Sequence, residues 1–160
     1  MDVVSELRRL GWSVEERSGG VLRLPQEVLT RYPQLPATLI EFLGRVVSCV
    51  NSSETAWFLC EADFSGTGES AYCWNEWEIM SLEAADGDEQ LLSVVRSFWD
   101  SHFPFFMSVA DGYSYYAVDT SQEGFGQIVT GCEPEFEDAE IIAESFERFL
   151  VDLIARDGLA

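Results

Sequence analysis

The chain has 160 residues, 47% of them hydrophobic and 13% aromatic, which suits one globular domain with a sizeable core over residues 1–160. Its 29 acidic and 9 basic residues give a net charge of −20, which argues against binding to nucleic-acid phosphates or to an anionic membrane surface. The bases are all arginine, so chemistry through a lysine Schiff base is excluded as well.

The negative charge is unevenly distributed along the chain. Residues 1–50 carry six arginines and six acidic residues, whereas residues 51–160 carry three arginines and 23 acidic residues. Solubility alone is one explanation for such an excess. The more specific interpretation is that the chain has an acidic surface that binds a basic partner.

Cysteine usage and the N-terminal segment bear on the cellular compartment. Four cysteines occur, at positions 49, 60, 73 and 132, and none of them forms a Cys-x-x-Cys pair or a zinc-ligand spacing. The first residues are acidic and lack an apolar stretch, and no apolar run approaches the ~20 residues of a membrane span. We therefore expect a cytoplasmic protein with free thiols.

The N-terminal half reads mainly as helices. A short helix is predicted over residues 2–10, and residues 21–24 are compatible with a short strand. Pro25 opens a helix that reaches about Arg31. An apolar stripe then predicts a longer helix over residues 36–50, and residues 56–60 read as a buried strand.

The C-terminal half alternates strands with helices. Residues 71–80 read as a strand or a strand with a bend, residues 89–102 as an amphipathic helix and residues 127–130 as a strand. A strong amphipathic pattern predicts a final helix over residues 138–155.

A β-hairpin over residues 105–119 is the clearest local signal. Asp111 and Gly112 separate two apolar segments, and an Asp-Gly pair accepts the positive φ angles of a two-residue type I′ turn. Together the elements predict an α+β fold. Its central sheet is mostly antiparallel, with about 4–6 strands, and is flanked by N-terminal, inserted and C-terminal helices.

Catalytic motifs are weak in this sequence. His102 is the only histidine, and its place at the end of an apolar stripe predicts a packed or helix-capping side chain, with no Gly-x-Ser-x-Gly elbow to support a catalytic role. Glu76 and Glu78, with Asp63 or Glu135, are the alternative for acid–base catalysis or a divalent cation. Such pairs are common in so acidic a chain, so we predict no catalytic, cofactor-binding or metal-binding residues.

The remaining candidates are aromatic and acidic side chains for binding a protein partner. Tyrosines among carboxylates bind the arginines of another protein through cation–π contacts and bidentate ion pairs. We expect Tyr113 and Tyr115 to act as exposed anchors. The predicted charged part of the same surface consists of Asp63, Glu69, Glu76, Glu78, Glu133 and Glu135.

Several segments, in order over about residues 24–154, together resemble the SUKH superfamily of Smi/Knr-like proteins. They are Leu24-Pro25, Tyr32-Pro33, Phe42-Leu43, Thr55-Ala56-Trp57-Phe58-Leu59, Trp74-Asn75-Glu76-x-Glu78, Phe98-Trp99, Phe103-Pro104-Phe105, Gly112-Tyr113-x-Tyr115-Tyr116-Ala117, Gly131-x-x-Pro134-Glu135-Phe136-Glu137 and Ser145-Phe146-x-x-Phe149-Leu150.

The resemblance implies a non-enzymatic α+β domain, without catalytic residues to transfer. Many bacterial members of that superfamily resemble immunity proteins, which bind and neutralise a cognate toxin, often a nuclease. Fungal relatives act as interaction hubs. The expected function is therefore an immunity protein, monomeric or homodimeric, for a basic toxin. A regulatory scaffold is the alternative, and a carboxylate hydrolase is a weaker one.

Overall fold

The computed structural model describes residues 1–156, so residues 157–160 of the predicted single domain lie outside the described range. The strands are β1 (Ser13–Glu16), β2 (Val46–Val50), β3 (Ala56–Phe58), β4 (His102–Ser108), β5 (Ser114–Asp119), β6 (Ile128–Cys132) and β7 (Glu140–Ala143). The helices are α1 (Val3–Arg9), α2 (Gln26–Arg31), α3 (Ala37–Arg45), α4 (Glu61–Ser65), α5 (Glu76–Ala84), α6 (Glu89–Asp100) and α7 (Phe146–Ala155).

Over the described residues the strands form one sheet whose spatial order follows the chain, from β1 at one edge to β7 at the other. Every neighbouring pair is antiparallel. The α+β class with an antiparallel sheet and flanking helices is thus confirmed, with seven strands in place of about four to six. No helix within residues 1–156 is both long enough and apolar enough to cross a membrane.

Different helices pack on the two faces of the sheet. On the first face, Phe58, Phe106 and Tyr116 are in register, and Phe149 of α7 packs on Phe106 and Tyr116 at ring-centroid distances of 5.8 and 5.2 Å. Helix α3 joins α7 there, because Phe42 packs 4.6 Å from Phe58. A cluster of aromatic rings therefore fills the space between this face and the two helices.

The second face is covered by α5 and α6 over its central strands. Tyr115 of β5 is buried beneath Trp77 of α5 and Trp99 of α6, at centroid distances of 5.5 and 4.8 Å. Its hydroxyl donates to the carbonyl of Phe136. Aromatic rings and a backbone hydrogen bond therefore fix Tyr115 inside the molecule.

The backbone of Gly131 packs closely against the two groups that form this hydrogen bond. A Cβ atom there would lie 2.5 Å from the Phe136 carbonyl oxygen and 2.6 Å from the Tyr115 hydroxyl, so backbone or a buried ring must move. We expect Gly131→Ala to lower the free energy of unfolding by about 1–3 kcal/mol, as overpacked cores do. Urea unfolding measures it, with Gly19→Ala as the control, since a Cβ on Gly19 meets no atom within 4 Å. Equal stability of the two variants would contradict this packing.

Three of the predicted helices are found and two are shortened. Helices α1, α2 and α6 match the predictions for residues 2–10, 25–31 and 89–102. The predicted helix 36–50 ends at Arg45, and Val46–Val50 is instead a strand between β1 and β3. The predicted helix 138–155 likewise begins only after Ser145, whose side chain caps it, because Glu140–Ala143 pairs with β6. In both places β-sheet pairing overrides a helical apolar pattern.

The other corrections concern strands. Residues 71–80 contain no strand: α5 begins at Glu76 and directs Trp77, Glu78 and Ser81 into the molecule. Residues 21–24 are not a strand either, whereas β1 was not predicted, because its four residues carry little apolar pattern.

The predicted hairpin of β4 and β5 is present, but its turn differs. Residues 109–113 connect the strands, so the loop is longer than two residues, and Ser108 pairs with Ser114. Gly112 has a φ of +86° while Asp111 does not adopt a positive φ, which excludes a type I′ turn.

Candidate partner-binding site

Antiparallel order brings three connections to one end of the sheet. The β2–β3 turn, the β4–β5 loop and the segment after β6 all lie there, because alternate connections of a meander share an end. The connection from α4 to α5, residues 66–75, lies against the same end through Tyr72, which packs on both Trp57 and Tyr113. We call this the loop end, and the opposite end, where β6 begins, the far end.

Three aromatic side chains form a continuous row at the loop end. The ring centroids of Trp57 and Tyr72 are 5.8 Å apart, and those of Tyr72 and Tyr113 are 5.5 Å apart in an edge-to-face arrangement. All three side chains are half-buried, so each keeps part of its surface in solvent. We call Trp57, Tyr72 and Tyr113 the aromatic row.

Two carboxylates border the aromatic row. Glu133 lies against the β4–β5 loop, since a Cβ on Gly112 would lie 2.5 Å from its Oε1. Glu76 at the start of α5 accepts from the backbone N–H of Cys73 at 3.1 Å. The adjacent Tyr72 side chain, followed by the charges of Glu133 and Glu76, raises the pKa of the Tyr113 phenol. The row is therefore an aromatic surface in a negative environment.

The fold brings some of the predicted partner-binding residues together at the loop end and places others elsewhere. Tyr113, Glu76 and Glu133 meet at the loop end, as described above. Glu135 is exposed two residues beyond Glu133. Glu69 is exposed and lines a neighbouring groove, which Asp63 lines as well.

Asp63 has a structural role in addition to its place in the groove. Its Oδ2 accepts from the backbone N–H of Cys60 at 2.8 Å and so caps the start of α4. Burial raises the pKa of this carboxyl, although the hydrogen bond from Cys60 acts in the opposite direction. Its contribution to a charged surface is therefore smaller than the sequence suggested.

Two predicted partner-binding residues are corrected by the structure. Tyr115 is fully buried on the second face, so it is no surface anchor, whereas Tyr113 lies just before β5 and is half-buried. Glu78 is 7% exposed and forms a bidentate ion pair with Arg31, with Oε1 3.0 Å from Nη1. The carboxylate of Glu78 is thus paired inside the molecule and is not offered to a partner at the surface.

Two members of the aromatic row were not identified as site residues from the sequence. The sequence pattern places Trp57 in a buried strand and Tyr72 in a strand that does not form. Alternation along β3 holds a partial signal, since Ala56 and Phe58 are buried while Trp57 points to the opposite face. Nothing local in the sequence signals that Tyr72 packs between Trp57 and Tyr113.

A groove adjoins the aromatic row on the second face of the sheet. It lies between strands β2 and β3 on one side and the segment 68–72 on the other, and has a volume of about 620 Å³. Trp57 and Tyr72 line it, as do the carboxylates of Glu54, Asp63 and Glu69. The loop end therefore offers a half-buried aromatic row, and two of its members, Trp57 and Tyr72, also line an acidic groove.

His102 fills a structural position, as the sequence predicts. Its Nδ1 lies 2.7 Å from the carbonyl oxygen of Phe98 at the end of α6, and its ring stacks on Phe98 at 4.0 Å. Its Nε2 faces Asp119 at 4.0 Å. The imidazole thus caps the helix and packs against it.

Within residues 1–156, Cys49 and Cys60 are buried, whereas Cys73 and Cys132 are exposed. Burial raises the pKa of Cys49 to about 12 and also raises that of Cys60, which disfavours reactive thiolates at both positions. All four cysteines are free. Within the same range, no group of three His, Cys, Asp or Glu side chains is arranged to hold a metal ion.

No family model matches the chain. No curated protein and no solved structure matches it either. The resemblance to the SUKH superfamily therefore stays a prediction, and we infer the function from the surface at the loop end.

Proposed function

We propose that the protein is a non-catalytic immunity protein, or antitoxin, that binds and neutralises a cognate basic toxin in the cytoplasm. The observation that carries this proposal is the aromatic row bordered by Glu76 and Glu133 at the open loop end of the sheet. Inhibition would be stoichiometric blocking of the toxin.

The chemistry of the surface suits a partner rich in arginine. Half-buried tyrosine and tryptophan rings supply rigid contact area and cation–π acceptors, and carboxylates supply bidentate ion pairs. A nuclease toxin carries such basic groups because it must hold phosphates. The net charge of −20 would also accelerate its encounter with a basic protein.

A regulatory interaction module is the second candidate. Exposed apolar side chains also occur away from the loop end, at Val94 on α6 and at Ile141 on the edge strand β7, which are 58% and 62% exposed. Separate contact surfaces of this kind would suit a scaffold that holds several partners. The two candidates differ in stoichiometry, in affinity and in the effect of salt.

A pull-down from the native cell with the full chain as bait tests the proposal. We expect one basic protein, retained at one-to-one stoichiometry by size-exclusion chromatography with light scattering, whose toxicity is suppressed when the two are co-expressed. Several partners released by modest salt would favour the scaffold instead. A retained partner whose toxicity persists on co-expression would contradict the immunity role.

A further inference from the structure

The helical cover of the second face ends before the groove. Val50, Trp57, Met107 and Tyr115 are register partners across four strands and so form one line on that face. Met107 and Tyr115 are fully buried, whereas Trp57 and Val50 are half-buried. Helices α5 and α6 thus leave the β2–β3 part of the face open, and the segment 68–72 forms the other wall.

The lining of the groove combines apolar surface with unbalanced negative charge. Val47, Val50, Trp57 and Tyr72 give it apolar and aromatic surface, and its carboxylates are those of Glu54, Asp63 and Glu69. Among the described lining residues there is no arginine. Arg17 lies near Cys60 at one wall, but Glu61 pairs with it at 3.5 Å.

We propose that this groove holds an extended, arginine-bearing segment of the protein partner. This inference rests on the proposed function and specifies which part of the partner is recognised. The guanidinium groups would stack on Trp57 and Tyr72 and pair with Glu54 and Glu69. A volume of about 620 Å³ lies within the usual range of binding sites.

Arginine fits this lining better than lysine does. Its planar guanidinium stacks on aromatic faces while it forms two parallel hydrogen bonds with a carboxylate, which an ammonium group does not do. An extended segment directs alternate side chains to the same side. A segment with arginine at every second position would therefore place its guanidinium groups along the groove.

A second copy of this chain is a poorer occupant. Within residues 1–156, six of the nine arginines are already in ion pairs, namely Arg8, Arg9, Arg17, Arg31, Arg45 and Arg148. Two copies would also bring together surfaces of the same charge sign. Charge complementarity thus favours a basic partner over self-association.

Nuclear magnetic resonance with the ¹⁵N-labelled full chain tests this inference. The probe is a short acetylated peptide of alternating glycine and arginine, titrated to millimolar concentration at low salt. We expect amide shifts at residues 47–50, 54, 57 and 68–72. The lysine counterpart should bind about 2- to 5-fold more weakly because it loses the stacking contribution.

Charge-matched variants separate groove binding from general attraction. Glu54→Gln with Glu69→Gln should weaken arginine-peptide binding about fivefold. Glu123→Gln with Glu144→Gln changes the net charge equally at exposed positions of the far end and should bind like the parent chain. Equal losses in both variants, shifts spread over the surface or no binding at millimolar peptide would each overturn the inference. Concentration-dependent groove shifts without peptide would identify a second copy as the occupant and overturn it too.

The same variants distinguish failure of this inference from failure of the proposed function. If the pull-down retains a neutralised basic partner equally well with Glu54→Gln and Glu69→Gln, the groove assignment is wrong while the immunity role stands. If no toxin is neutralised but the peptide binds as expected, the groove recognises arginine and the immunity role is wrong.

Discussion

We expect the Phe58→Ala variant to lose about 3–5 kcal/mol of unfolding free energy, the usual cost of truncating a fully packed phenylalanine. Phe58 is 2% exposed on β3. Its ring lies between 4.6 and 6.4 Å from five others, those of Trp12, Phe42, Phe105, Phe106 and Phe149. Removing it would leave a cavity where the sheet meets α3 and α7.

The loss is large against the total stability of a domain, which is about 5–15 kcal/mol. Chemical denaturation followed by tryptophan fluorescence measures it, and the melting temperature should fall by about 10 °C. Tyr113→Ala is a suitable aromatic control, because that side chain is half-buried at the loop end and should cost about 1 kcal/mol. A similar small loss for both variants would show that Phe58 is not at the centre of the core.

The second large effect concerns association with the basic partner. Reversing the charges that border the aromatic row, with Glu76→Lys and Glu133→Lys, should slow association about tenfold and weaken affinity about a hundredfold. It should also reduce the salt dependence of the association rate. Surface plasmon resonance with the captured partner measures both quantities, once thermal melting has shown that the variant is folded.

A charge-matched control distinguishes local contacts from the overall charge. Glu123→Lys with Glu144→Lys has the same net charge but places the reversals at the far end, beyond Ala143, which pairs with Ile128 at the start of β6. We expect a smaller change in association rate and little change in dissociation rate. Equal effects of the two pairs would mean that the partner is attracted by total charge and bound elsewhere.

The sequence predicts the class of the fold because local patterns carry it. Apolar stripes locate α1 and α6, Pro25 locates α2, and strand composition locates β3, β4 and β5. The sequence does not predict β2 and β7. An apolar segment with helical spacing becomes a strand there because neighbouring strands offer backbone hydrogen-bond partners. Pairing with distant strands decides between helix and strand there, and a short stretch of sequence does not show that pairing.

The candidate site was predictable only in part, for a related reason. Tyr113, Glu76 and Glu133 were identified by residue type alone, and the fold happens to bring them together. Tyr115 and Glu78 are of the same residue types as Tyr113 and Glu76, but they are buried. Trp99 covers Tyr115, and Arg31 pairs with Glu78. Burial and ion pairing of this kind depend on helices distant in the chain.

Neutralisation of the captured partner by the two charge-reversal variants tests the central claim most directly. Cells that express the toxin would receive the parent chain, the Glu76→Lys and Glu133→Lys variant, or the far-end control at equal abundance. We expect survival with the parent chain and the control, and loss of protection with the loop-end variant. Full protection by the loop-end variant would contradict the assignment of the aromatic row as the partner-binding site.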